Sequence, residues 1–137
     1  MNADREPIAT RVLQWTGAGE SREVVLRVWA PLQVHAKECT CDFAIDGLPE
    51  PVRAAAHGID SLHALTNVTM ALRSFLEPHR KHLSFLDEPE YYGIPLSVFG
   101  YSPESERHLE AVVEAAQGYG NILLIDRARL RAARTNT

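Results

Sequence analysis

An α+β fold, with an antiparallel β-meander of about four strands packed against one long helix and a second helix toward the C-terminus, is predicted by three features of this 137-residue sequence. Glu23–Ala30 and Glu38–Ile45 alternate apolar and polar residues, the period of strands with one face in a core and one in water. Asp60 stands where a capping side chain is needed, ahead of apolar residues spaced by threes and fours. Ser102-Pro103-Glu104 then supplies a second helix start, with a capping serine, proline at the first helical position and acid in the first turn.

The elements follow in order. Residues 1–7 form a flexible lead, and Ile8–Trp15 a first strand turned back by a loop over Thr16–Ser21. The second strand, Glu23–Ala30, points Val24, Leu26 and Val28 to one face, and Pro31 ends it. Gln33–Lys37 reads as a connection, and Glu38–Ile45 as a third strand whose inward set is Cys39, Cys41, Phe43 and Ile45, closed by the turn at Asp46-Gly47. Leu48–His57 reads as a linker or a turn of helix. Gly58 ends it, Ile59 is placed to staple the helix start, and His63 to reach back toward Asp60 as the glutamine of a capping box does. The expected stripe of the main helix is Leu62, Leu65, Val68, Leu72, Phe75 and Leu76, with Asn67, Arg73 and Ser74 opposite; Pro78 stops the helix near Glu77. Leu83–Leu86 suits a fourth strand and Asp87–Pro95 a loop. Leu109, Val112, Val113 and Ala116 form the apolar side of the second helix, Gly118 ends it, and Ile122–Ile125 suits a last strand.

Composition narrows the function classes. A 45% hydrophobic, 23% charged chain of this length suits one domain over residues 1–137, with no run approaching a membrane span, so cytoplasmic residence without membrane contact is expected. The polar start, Met1–Pro7, lacks the apolar segment of a secretory signal. Net charge is −4, but Arg127, Arg129, Arg131 and Arg134 make residues 127–137 a basic tail or short helix, so residues 1–126 carry −8. An acidic body argues against nucleic acid as the main partner. Cys39 and Cys41 are too close for a disulfide and lack a second ligand pair, so they read as buried thiols. His57, His63, His79 and His82 have no convincing carboxylate to complete a metal site, and Ser61 beside Asp60 lacks a nucleophile elbow, so capping is the reading there. No cofactor, metal or catalytic residue is expected.

Several short patterns also point to a family. An inward Cys41 and Phe43 lead into Ile45-x-Gly47-Leu48; Gly58-x-Asp60-Ser61-x-x-Ala64-Leu65 opens the helix; Leu83–Leu86 and Gly93-x-Pro95 follow. Over about residues 8–96 these resemble a family of small bacterial α+β proteins without an assigned activity, with His63 and Ile94 departing from its usual glutamine and aromatic. The resemblance implies architecture and bacterial source, and no chemistry.

What remains is the presentation of acid. Asp87, Glu88 and Glu90 crowd a loop with Tyr91 and Tyr92, and Glu106, Glu110 and Glu114 repeat at fours along the second helix, a spacing that weakens an isolated helix and that a basic partner would relieve. The expected function is a non-enzymatic protein-binding module. The chain is similar, in being small, acidic and without catalytic motifs, to bacterial immunity proteins that neutralise a cognate toxin, so the expected partner is a protein such as a basic toxin domain. One alternative is a small enzyme or ligand-binding protein with a pocket between the sheet and the 87–95 loop, and another is a self-associating subunit such as a homodimer.

Overall fold

The computed structural model describes residues 4–95, 102–113, 115 and 116. The chain divides into two compact units, Met1–Ser97 and Val98–Thr137. The first holds β1 (Ala9–Gly17), β2 (Glu20–Val28), β3 (Leu32–His35), β4 (Glu38–Asp46), β5 (Val52–Gly58), α1 (Ser61–Leu76), a 3-10 turn over Glu77–His82, β6 (Leu83–Phe85) and β7 (Glu88–Pro89). The second holds α2 (Pro103–Val113).

All seven strands join one antiparallel sheet, so α+β is correct and about four strands is an undercount. β2 and β3 lie end to end along one side of β4, and β5 lies along its other side. Beyond β2 come β1, β6 and β7. Pro31 interrupts β2 before β3, yet Trp29 still donates its N–H to Asp42 O at 3.0 Å, so the ladder bends there without ending. The connection expected over Gln33–Lys37 is in part β3, hidden from pattern reading because all four of its residues are exposed. The linker expected over Leu48–His57 is largely β5. Its Val-Arg-Ala-Ala-Ala run is not a strong strand sequence, but seven residues pair with β4 from Ile45↔Val52 to Cys39↔Gly58, and that pairing overrides propensity.

One face of the sheet is the core. Leu13, Trp15, Val24, Leu26, Cys39, Cys41, Phe43 and Ile45 are all buried there, which is the alternation read from β2 and β4. The other face is held by polar contacts: Asp46 accepts from Arg27 at 2.7 Å and Arg53 at 2.6 Å, and Ala44 is buried on that side.

Helix α1 covers β4 and β5. Asp60 caps it, its Oδ1 accepting from His63 N–H at 2.8 Å, and His63 Nδ1 in return accepts from Ile59 N–H at 3.1 Å. This reciprocal pair does the work expected of the Ile59 staple, for Ile59 itself is 66% exposed. The Asp60→Ala variant should therefore lose about 1 kcal/mol in denaturant unfolding. A midpoint equal to the parent's would place the helix start elsewhere. The buried stripe is Ala64, Val68, Leu72 and Leu76, at strict fours. Leu62, assigned to it from sequence, is 72% exposed because at 100° per residue it lies about 100° round from the stripe's centre. Phe75 is also partly exposed, its ring tilted at 6.0 Å from Phe43.

Gly58 sets how close the helix comes. A Cβ built on it would lie 2.7 Å from the His63 carbonyl carbon and 2.8 Å from Ala64 Cα, so only hydrogen fits between β5 and the first turn. Among the described residues no helix is long and apolar enough to cross a membrane.

Cys39 and Cys41 are buried free thiols, and Cys41 Sγ donates to Trp29 O at 3.2 Å. Burial, with Asp42 adding to it, pushes the Cys41 thiol up to about 11 from 9.0. The folded state thus holds this proton more tightly than the unfolded chain. Its stability should be level below about pH 9 and fall as pH rises from there toward about 11. A Cys41→Ala variant should show less of that fall, and an identical alkaline slope would contradict the assignment.

Candidate functional site

The acidic and aromatic residues singled out from sequence fall on one hairpin and the segment after it. β6 pairs with β1 through Gln14↔Ser84 and Trp15↔Leu83, and β7 returns against β6 through Ser84↔Pro89 and Phe85↔Glu88. Only Leu86 and Asp87 remain for the turn, with φ of 53° and 63°. Two successive left-handed residues are what a type I′ turn requires and what matches the twist of the strands, but Asn-Gly is the pair that adopts them readily. The apolar run Leu83–Leu86 predicts a fourth strand that includes Leu86. Instead it ends at Phe85, and Leu86 is the turn, with its side chain 76% exposed. Nothing in Leu83–Leu86 signals this, since the sequence carries no turn pair there. Glu90, at φ 58°, is a third left-handed residue within five positions.

Around this tip Asp87, Glu88 and Glu90 are exposed, and Tyr91 is half exposed with its ring 6.1 Å from Phe85. The tip therefore shows an aliphatic side chain and an aromatic ring among three carboxylates. Tyr92, expected beside Tyr91 as an interface anchor, is corrected: it is 2% exposed and belongs to the core. Its hydroxyl donates to Glu77 Oε2 and accepts from Arg80 Nε, both at 3.1 Å. The guanidinium groups of Arg73 and Arg80 lie 5.6 and 5.3 Å from its ring centroid. Burial pushes the Tyr92 hydroxyl's pKa up, Arg80 draws it back, and the bond to Glu77 raises it again.

The chain after Tyr92 is clamped by arginines. Arg11 Nη1 donates to Tyr92 O and Gly93 O, and Arg73 Nη1 to Ile94 O at 2.9 Å, so three successive carbonyls are taken by β1 and α1. Gly93 allows this, with φ of 65° and no room for a Cβ, which would come within 2.7 Å of both Arg11 Nη1 and the Phe85 ring. Between this segment, the ends of β1 and β2 and the flank of α1 lies a cleft of about 190 Å³. A pocket between the sheet and the 87–95 loop is thus present at 93–95.

On α2, Glu106 and Glu110 are exposed one turn apart, and Glu114 lies outside the described residues, as do the expected last strand and the basic tail. His79 and His82 gather on Trp15. The His82 ring stacks at 4.6 Å, His79 is tilted at 5.6 Å, and the Arg22 guanidinium lies 4.5 Å from the Trp15 ring. Among the described residues no three His, Cys, Asp or Glu side chains come together to hold a metal.

No curated protein and no solved structure matches the chain. Residues 9–96, from the start of β1 to just past the clamped segment, match the family described as Domain of unknown function (DUF6968). That match takes in more than half of the sequence, and the chain belongs to this family.

Proposed function

We propose that this chain is a non-enzymatic protein-binding module whose contact surface is the tip of the β6–β7 hairpin. In its most specific form it is an immunity protein that covers a cognate toxin. The observation that carries the reading is Leu86. A leucine in the left-handed region costs about 1–2 kcal/mol relative to a residue suited to the turn, and exposure to water returns nothing for it. Strain of this kind persists where it positions something, and here it pushes an aliphatic side chain outward into water. A buried apolar anchor with a charged rim is the usual anatomy of a hot spot. Asp87, Glu88 and Glu90 supply that rim, so the complementary partner has a basic surface around an apolar recess. Glu106 and Glu110 on α2, with Glu114 after it, offer further acid to the same kind of partner.

The test is capture of partners by the tagged full-length protein in its source organism, followed by association kinetics on the recovered protein at two salt concentrations. Charge complementarity chiefly speeds association, so Asp87→Lys with Glu88→Lys and Glu90→Lys should slow the on-rate and flatten its salt dependence. Recovering no protein, or one whose binding ignores these substitutions and also Glu106→Lys with Glu110→Lys, contradicts the proposal.

A further inference from the structure

The cleft at Gly93–Pro95 carries a second reading, independent of the hairpin tip. Its walls are apolar side chains from separate stretches of chain: Ala9 on β1, Leu26 and Val28 on β2, Leu72 on α1, and Ile94 and Pro95. Arg11 also lines it and is unusual in its company. Arg11 is a partly buried residue whose guanidinium lies 4.3 Å from the Phe85 ring centroid, and its hydrogen bonds among the described residues run from Nη1 alone, to the neutral carbonyls of Tyr92 and Gly93. No carboxylate pairs with it among the described residues. A partly desolvated cation without a counter-charge among the described residues is unfavourable, and an arginine fork whose Nε and Nη2 make no hydrogen bond among them suits a planar carboxylate. We propose that the cleft is a binding site for a small apolar monocarboxylate, its carboxylate on Arg11 and its hydrocarbon body against Leu26, Val28, Leu72 and Ile94.

Size limits the class further. A volume of about 190 Å³ is below that of most drug-sized sites and equals that of about six waters of liquid. The part held within these walls suits a short branched-chain or single-ring acid.

The probes are benzoate and isovalerate, with benzamide as the neutral match and inorganic phosphate as an anion without an apolar body. Binding is followed on the full-length protein by backbone amide shifts. Either carboxylate should shift the amides of Ala9, Val28, Leu72 and Ile94 and bind at least tenfold more tightly than benzamide, while phosphate leaves them unmoved. Arg11→Gln should remove the preference for carboxylate over amide. Should that variant fail to fold, Ala9→Phe keeps Arg11 and its carbonyl bonds while filling the cleft, and it should abolish binding of every probe. Equal affinity for benzoate and benzamide, or shifts that survive Ala9→Phe, or no shift at the cleft with either acid, would overturn the site without touching the hairpin proposal.

Discussion

Replacing Tyr92 by alanine is expected to destabilise the protein by about 3–5 kcal/mol, read as a fall in the denaturant midpoint, whatever it does to a partner. The ring is 2% exposed and part of the main cluster, so its loss leaves a cavity. The substitution also removes the group on which Glu77 and Arg80 converge, and the ring against which Arg73 is laid. Tyr92→Phe separates the two contributions: packing stays and two hydrogen bonds go, for a loss of about 1–3 kcal/mol. If Tyr92→Ala instead unfolds at the parent's midpoint, the residue is not in the core and the arginine-clamped segment is placed wrongly.

Gly58→Ala is the second large effect, expected at about 3 kcal/mol, the upper end for overpacking, because the added carbon meets backbone that cannot rotate aside. The loss here is one of space. Gly19, in the β1–β2 turn, provides the contrast, since it has φ 76° and open space around it. Gly19→Ala should cost only the left-handed preference, about 1–2 kcal/mol. Equal midpoints for Gly58→Ala and the parent would mean that α1 does not sit on β5 as described.

How far the sequence revealed this architecture depends on where the information lay. Alternation in β2 and β4 gave their inward residues because half-burial repeats every second position, and the Asp60 cap was visible because its partner is only three residues on. β5 carries no such mark: its alanines pair with β4 because β4 is there, a tertiary cause. The burial of Tyr92 is likewise imposed from afar, by Arg73 and Arg80 on the α1 side, while Tyr91 one position earlier is left half exposed. From sequence the two tyrosines were equivalent. Exposure of Asp87, Glu88 and Glu90 followed from their charge. Leu86 did not follow, since only strand pairing on both sides forces it into a two-residue turn. The cleft needed the fold itself, its walls being brought together from β1, β2, α1 and residues 93–95.

On the proposed function the hairpin tip keeps a strained, apolar turn for binding, and one double substitution tests this. Leu86→Asn with Asp87→Gly installs the pair that a type I′ turn prefers while leaving the β6–β7 register alone. The measurement sets thermal stability of this variant beside its dissociation rate from the captured partner. Stability should rise by about 1–2 kcal/mol as the left-handed strain is relieved. The complex should dissociate faster by at least tenfold, as the loss of a central anchor worth about 2 kcal/mol requires. A variant that is more stable and binds as tightly as the parent would contradict the claim, because the leucine would then be strained for nothing the partner uses.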